Sequence, residues 1–279
     1  MQTNGKIKLV ATDLDGTFLK NDKTVSPKNM ESLHAMGRKG IVRVAATGRN
    51  LQKTKEVISP DVPFDYIVFS SGAGIYDWRN GKLLYSRNIP GQTVGRLSEY
   101  LICNRQSFHL FRKVPDNHHC WYFRSESAGP EFERYFAFHN SFAEPFPEHS
   151  EINSEACQFL IIIPCEIGLF EQMKEEMCRA FPGLNIVRTS SPLHTPYIWI
   201  EIFHESVSKG NGVKFICEKE GIDPSGTMGI GNDYNDLDLL EFTRFSYLVE
   251  NGPNDLKHRF LPAKSNEEDA FSFSVAYHL

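Results

Sequence analysis

The sequence predicts an α/β fold: a Rossmann-like three-layer core with a parallel sheet, interrupted by an inserted α+β segment. Near both ends of the chain, apolar runs that stop at Asp- and Gly-rich loops alternate with helical stretches, the rhythm of strands covered on both faces. The middle has a different, aromatic-rich texture. With 279 residues, 41% of them hydrophobic, the chain can build one or two compact units with real cores.

The first run, Ile7 to Thr12, has the composition of a buried strand and ends at a cluster of Asp and Gly. A helix is expected next, with Ser26 as N-cap, Pro27 in its first turn, Met30, Leu33 and Met36 on one face and Gly40 just past its end. Ile41 to Ala46 predicts a second strand running into Thr47-Gly48-Arg49, and Tyr66 to Phe69 a third, ending at Ser70-Ser71-Gly72-Ala73. From about Tyr85 the texture changes. Strands are expected at His109 to Lys113, Cys120 to Arg124 and Cys157 to Ile163, and a helix at Leu169 to Ala180. The α/β rhythm returns with strands at Tyr197 to Phe203, Thr227 to Ile230 and Ser246 to Val249, and a helix at Lys209 to Glu220. The core is therefore expected to comprise residues 1–84 and 193–279, with 85–192 inserted between them.

A formal charge of −5 with mixed signs lacks the basic stripe that a phosphate backbone requires, so nucleic acid is not an expected partner. The six cysteines are scattered without metal-site spacing and read as thiols of a reducing compartment. Met1 to Lys8 has no apolar leader core, and the most apolar short run, Phe159 to Pro164, falls far short of the ~20 residues a spanning helix needs. A cytoplasmic protein, not a membrane one, is expected, as a monomer or weak homo-oligomer.

Asp13-Leu14-Asp15-Gly16-Thr17 follows the first strand, where open α/β sheets present their ligand-binding groups. Two carboxylates two residues apart can address one site. Thr47 and Gly48 add a hydroxyl and an approachable N–H, Lys209 a positive charge, and Gly231-Asn232-Asp233-Tyr234-Asn235-Asp236 a second acidic loop. Lys209 opens a helix against the direction its dipole favours, which argues for a functional charge. Phosphoryl transfer needs such a set, because enzymes lower the barrier of monoester hydrolysis by about 23 kcal/mol or more and must bring two anions together.

These motifs, in order, resemble the haloacid dehalogenase superfamily and its Cof-type phosphatases with a cap inserted after the third strand. The matching residues are Asp13 to Thr17, Ala46 to Arg49, Ser208 to Gly210, Gly231 to Asp236 and the C-terminal Val249-Glu250-Asn251-Gly252. The resemblance implies that Asp13 is the nucleophile and forms an aspartyl-phosphate, and that Asp15 is the general acid and then the base that activates water. It implies that Thr47 and Lys209 hold phosphoryl oxygens with the Gly48 and Leu14 N–H groups, that Asn235 and Arg49 belong to the substrate site, and that Mg2+ sits on Asp13, the Asp15 carbonyl and the acidic loop. For Arg49 the residues alone leave a substrate or cap contact and a pairing with an acid equally open.

Asn232 stands where the related proteins carry an acid. Either it binds the metal as a neutral ligand, or Asp233 or Asp236 takes over; Asn232 and Asp236 near the metal, with Asp233 positioning Lys209 or coordinating directly, is the favoured expectation. Ser71 also departs from the usual Asn. His118 and His119 read as a solvated loop, while Arg112 and Arg124 from the insert, and His194 near the chain's return to the core, are candidate substrate contacts. The implied activity is hydrolysis of small phosphorylated metabolites, sugar phosphates foremost. A phosphomutase of the same superfamily and a non-catalytic phosphometabolite sensor are the competing readings, and a dehalogenase is disfavoured because halide departure does not require the Asp15 proton donor.

Overall fold

In the computed structural model, which describes residues 6–126, 128–147, 154–193 and 195–279, the first apolar run forms β1 (Leu9–Thr12), buried throughout. In α1 (Pro27–Arg38) the Ser26 side chain accepts a hydrogen bond from the Asn29 N–H, and Asn29, Leu33 and Met36 are buried. β2 (Val42–Ala46), α2 (Leu51–Val57) and β3 (Tyr66–Phe69) continue the alternation. Two strands absent from the sequence reading follow, β4 (Gly74–Asp77) and β5 (Lys82–Ser86).

Next come α3 (Gly91–Cys103), β6 (Phe108–Arg112), β7 (Cys120–Phe123), α4 (Pro130–His139) and β8 (Ala143–Pro145). They are followed by β9 (Ala156–Pro164), α5 (Ile167–Ala180), β10 (Leu184–Ser190) and β11 (Tyr197–His204). The chain closes with α6 (Lys209–Glu220), β12 (Thr227–Gly231), α7 (Leu237–Phe242), β13 (Phe245–Leu248), β14 (Leu261–Pro262) and α8 (Ala270–Ala276). Among the described residues no helix is long and apolar enough to cross a membrane.

The elements sort into two units, Met1–Tyr85 with Ser208–Leu279, and Ser86–Val207. The first carries an eight-stranded sheet in the order β14-β13-β12-β1-β2-β3-β4-β5. β1 runs parallel to both its neighbours, β12 and β2. From β1 the chain builds outward to one side, and after the insert it builds outward to the other from β12. The crevice at the carboxyl ends of β1, β2 and β12 is therefore the place where such a sheet presents its ligand-binding loops.

The loop after β3 turns through three residues of positive φ, Ser70 at 47°, Ser71 at 54° and Gly72 at 103°. It passes so close to the start of α6 that a Cβ at Gly72 would lie 2.2 Å from the Ser208 carbonyl oxygen. Only glycine permits that approach, and it fixes the entry of α6 against the end of β3.

The second unit carries a six-stranded sheet in the order β10-β11-β9-β6-β7-β8. Leu110, Phe159, Ile161 and Ile200 project from one face into a core with Leu97 of α3 and Phe170 of α5. The opposite face receives α4: His109 lies under Phe132 and Tyr135, with ring centroids 4.6 and 4.9 Å away. The Trp199 indole N–H donates to Glu131 over 3.2 Å.

The placement of β11 corrects the expected boundary at residue 193. Its eight residues pair antiparallel with β9 and β10 in the second sheet, so the chain rejoins the first unit at Ser208. A strand covered on both faces is apolar almost throughout in either kind of sheet, so the run itself does not reveal which sheet it joins.

Candidate active site

The first unit brings together groups far apart in the chain. Asp13 directly follows β1 and is anchored by its N–H donating to the Ile230 carbonyl of β12 over 2.9 Å. The Lys209 ammonium, 1% exposed, donates to Asp13 Oδ1 over 2.8 Å and to Asp236 Oδ1 over 2.6 Å. Lys209 is placed by the first turn of α6. There Ser208 caps the helix by accepting from the Asn211 N–H, and Asp238 Oδ2 accepts from the Gly210 N–H over 2.6 Å.

Burial works against the charge on Lys209, but Asp13 and Asp236 outweigh it and hold the ammonium protonated. Burial likewise pushes the Asp13 carboxyl up to about 7, with Lys209 pulling against it and the like charge of Asp236 adding to it. Two buried carboxylates thus share one cation.

Asp15 lies in a different environment. Burial would raise its pKa, but hydrogen bonds and charge from Arg49, then from Lys23, hold it at about 2. Arg49 grips it with two donors, Nε to Oδ2 at 2.5 Å and Nη2 to Oδ1 at 2.8 Å, and Lys23 Nζ donates to Oδ1 over 2.9 Å. Of the two outcomes open for Arg49, the structure shows the pairing with an acid.

Thr47 is buried, and its Oγ1 accepts from the Arg49 N–H over 3.1 Å, which leaves the hydroxyl proton for another acceptor. A Cβ at Gly48 would lie 3.7 Å from both Asn235 Nδ2 and Ser71 Oγ, so the loops after β2, β3 and β12 meet around it. Leu14, fully buried, closes the first loop by accepting from the Phe18 and Leu19 N–H groups.

In the acidic loop Asp236 reaches Lys209: one of its oxygens takes the ammonium, and the other accepts from the Asn232 and Asp233 N–H groups over 2.8 and 3.1 Å. The physical reason is the turn that starts at Asp233 and folds the Asp236 side chain back over the loop's own amides.

Asn232 faces the nucleophile. One terminal atom of its amide lies 3.2 Å from Asp13 Oδ2, 3.2 Å from the Asp15 carbonyl oxygen and 3.3 Å from Thr17 Oγ1. A nitrogen there donates to these oxygens. An oxygen there converges with Asp13 Oδ2 and the Asp15 carbonyl, with only the Thr17 hydroxyl to supply a proton, and such a cluster is a donor set for a hard cation. Among the described residues no group of three or more His, Cys, Asp and Glu side chains is arranged to hold a metal. A metal here would accordingly rest on a mixed set of one carboxylate, one main-chain carbonyl and one amide. That set fits Mg2+, which takes few protein ligands.

Some contributors escaped sequence reasoning. Lys23 sits in a polar turn like any surface lysine, and Asp238 lies two residues beyond the acidic loop yet supports Gly210 of another motif. Asn251, noted only as part of a C-terminal segment, donates to the Gly16 carbonyl over 2.8 Å and accepts from the Asn266 N–H. Asn266 donates in turn to the Leu19 carbonyl, so the C-terminal segment clamps the loop that carries Asp15.

Gly16 itself has φ +74°, and a Cβ there would lie 2.6 Å from Asn232 Nδ2, so the loop requires a glycine at that place. In the insert, Arg112 and Arg124 form exposed ion pairs with Glu144 and Glu133. His118 and His119 lie against one another with tilted rings, and both meet Phe142 edge-on. His194 lies outside the described residues.

Fold and motifs together are those of a haloacid dehalogenase-like hydrolase: the chain matches that family over residues 10–272 and belongs to it. Among its curated relatives, a 5-amino-6-(5-phospho-D-ribitylamino)uracil phosphatase of Bacillus subtilis (strain 168) is 25% identical, covering 96% of this chain and 97% of the relative. Solved structures share the architecture. A phosphatase of the HAD enzyme superfamily from Bacteroides thetaiotaomicron superposes with a TM-score of 0.80 at 19% identity, over 100% of this chain and 97% of that one. A HAD subclass IIB sugar phosphatase gives 0.76 at 19% identity, over 97% and 98%.

Proposed function

We propose that this chain is a magnesium-dependent phosphatase of small phosphorylated metabolites, sugar phosphates foremost, that works through an aspartyl-phosphate on Asp13. The observation that carries the reading is the buried Lys209 ammonium held between Asp13 and Asp236, beside the oxygens of Asp13, Asp15 and Asn232. The kind of substrate is supported by relatives whose names specify a phosphoribityl compound and a sugar phosphate.

Asp13 attacks phosphorus with one carboxylate oxygen while the ester P–O bond breaks. The electron pair of that bond goes to the departing alkoxide, which takes a proton from Asp15 and leaves as the alcohol. In the second half-reaction Asp15 takes a proton from water as the water oxygen attacks phosphorus, which releases inorganic phosphate and restores the Asp13 carboxylate. Lys209, the Thr47 hydroxyl and the Gly48 N–H supply positive charge and donors to the phosphoryl oxygens. Mg2+ on Asp13, the Asp15 carbonyl and Asn232 would neutralise phosphoryl charge and favour the ionised form of Asp13.

The test is Mg2+-supported release of inorganic phosphate from p-nitrophenyl phosphate and a panel of sugar phosphates. Asp13→Asn is expected to lower turnover by about a thousandfold or more. Full activity in that variant, or no release from any monoester by the wild type, would overturn the reading. Steady release of phosphate from a monophosphate also separates hydrolysis from mutase and sensor behaviour.

A further inference from the structure

The grip on Asp15 is hard to reconcile with the work assigned to it. Both of its oxygens are occupied, by the Arg49 fork and by Lys23. A carboxylate held by three cationic N–H donors is tied in place in its ionised form, turned to Arg49 and Lys23. Yet the same arginine is rooted in the phosphate-binding loop, its N–H donating to Thr47 Oγ1.

We propose that Arg49 is a substrate-operated latch: it holds Asp15 out of reaction until the phosphoryl group of an incoming ester takes the guanidinium over and frees the carboxyl for proton exchange. The proposal rests on the phosphatase reading above. A guanidinium binds carboxylate and phosphoryl oxygens with the same planar fork, so one partner can replace the other without loss of geometry. The dianionic ester is the stronger competitor.

Exposure allows the exchange. The Arg49 and Asp15 side chains are 21% and 37% exposed, whereas Arg43 and Asp65, another arginine–aspartate pair of this unit, are 6% and 8% exposed. In the buried pair both partners bind main-chain groups, Arg43 donating to the Leu33 carbonyl and Asp65 accepting from the Arg43 N–H, whereas in the exposed pair the arginine alone does, Arg49 Nη1 donating to the Lys53 carbonyl over 3.4 Å. Lys23, on a residue of φ +67°, holds only one Asp15 oxygen and cannot replace the fork.

Steady-state kinetics on two esters test the latch. An alkyl phosphate needs a proton for its leaving oxygen, while p-nitrophenyl phosphate departs as a stable phenolate. In Arg49→Met the KM of both esters is expected to rise about tenfold or more, because a charged contact to the phosphoryl group is lost. The ratio of alkyl to nitrophenyl kcat should stay at or above that of the wild type, because Asp15 is released. Arg49→Lys should move in the same direction by less, and it carries the comparison if Arg49→Met does not fold.

An unchanged KM, or a kcat ratio that falls about tenfold, would overturn the latch, the latter by showing a fixed support that Asp15 needs throughout turnover. A wild type that hydrolyses neither ester fails the phosphatase reading and takes the latch with it. A wild type that hydrolyses both, with a fallen ratio in the variant, fails the latch alone.

Discussion

Asn232 decides the charge of the proposed metal site. With a neutral amide there, Asp13 contributes the one carboxylate of the donor set, the rest being the Asp15 carbonyl and the amide itself. Asn232→Asp adds a second anionic oxygen, and it also places a like charge about as near to Asp13 as the amide is now. The variant should bind Mg2+ about tenfold more tightly, read as a lower magnesium half-saturation in phosphate release. Without metal it should melt at a lower temperature than the wild type, and magnesium should reverse the loss. An unchanged half-saturation would place residue 232 outside the site.

The residue itself was legible in the sequence because it occupies a fixed place in a recognisable loop. That Asp236 takes the Lys209 ammonium was not legible, because the short helical turn that starts at Asp233 decides where its side chain folds. Lys23 left no signal at all, since only the fold brings its ammonium to Asp15.

At the scale of elements, the strands that carry the site were read in full while the second unit was read in part, for a physical reason. Parallel strands buried on both faces are continuous apolar runs that stop at functional loops, and β1, β2, β3 and β12 all have that form. Helix α4 has no comparable signature. Its aromatic residues mix with those of neighbouring strands, and the residue it covers, His109, is polar in sequence yet fully buried, with neither ring nitrogen hydrogen-bonded.

Burial, with His139 and Arg124 adding positive charge, pulls the His109 pKa down to about 3. The unfolded chain takes up that proton near pH 6.5, so the native state loses stability as pH falls from about 6.5 towards 3, by at most about 1.4 kcal/mol per unit. His109→Leu removes this dependence. Thermal unfolding between pH 7 and pH 4.5 should show the variant gaining on the wild type as pH falls, and parallel curves would show that the buried imidazole does not govern α4.

For the whole molecule, the topology converts a sequence spread over the chain into one site. Asp13 and Lys209 are 196 residues apart and meet because β1 lies at the centre of the sheet and α6, which opens with Lys209, enters against the end of β3, with the second unit inserted between the halves. The order of motifs, each at a strand end or helix start, was enough to anticipate that meeting. The length of the insert was not, because β11 looks like a core strand until its partners are known. Asp13 accepting the phosphoryl group is the step on which the proposed mechanism turns. Quenching the enzyme in acid during turnover, reducing it with borohydride and mapping its peptides tests this directly, because an acyl phosphate is reduced to an alcohol. Homoserine at position 13, absent when substrate is omitted, is the predicted result. Turnover with position 13 recovered only as aspartate, and the reduced residue at another acid, would contradict it.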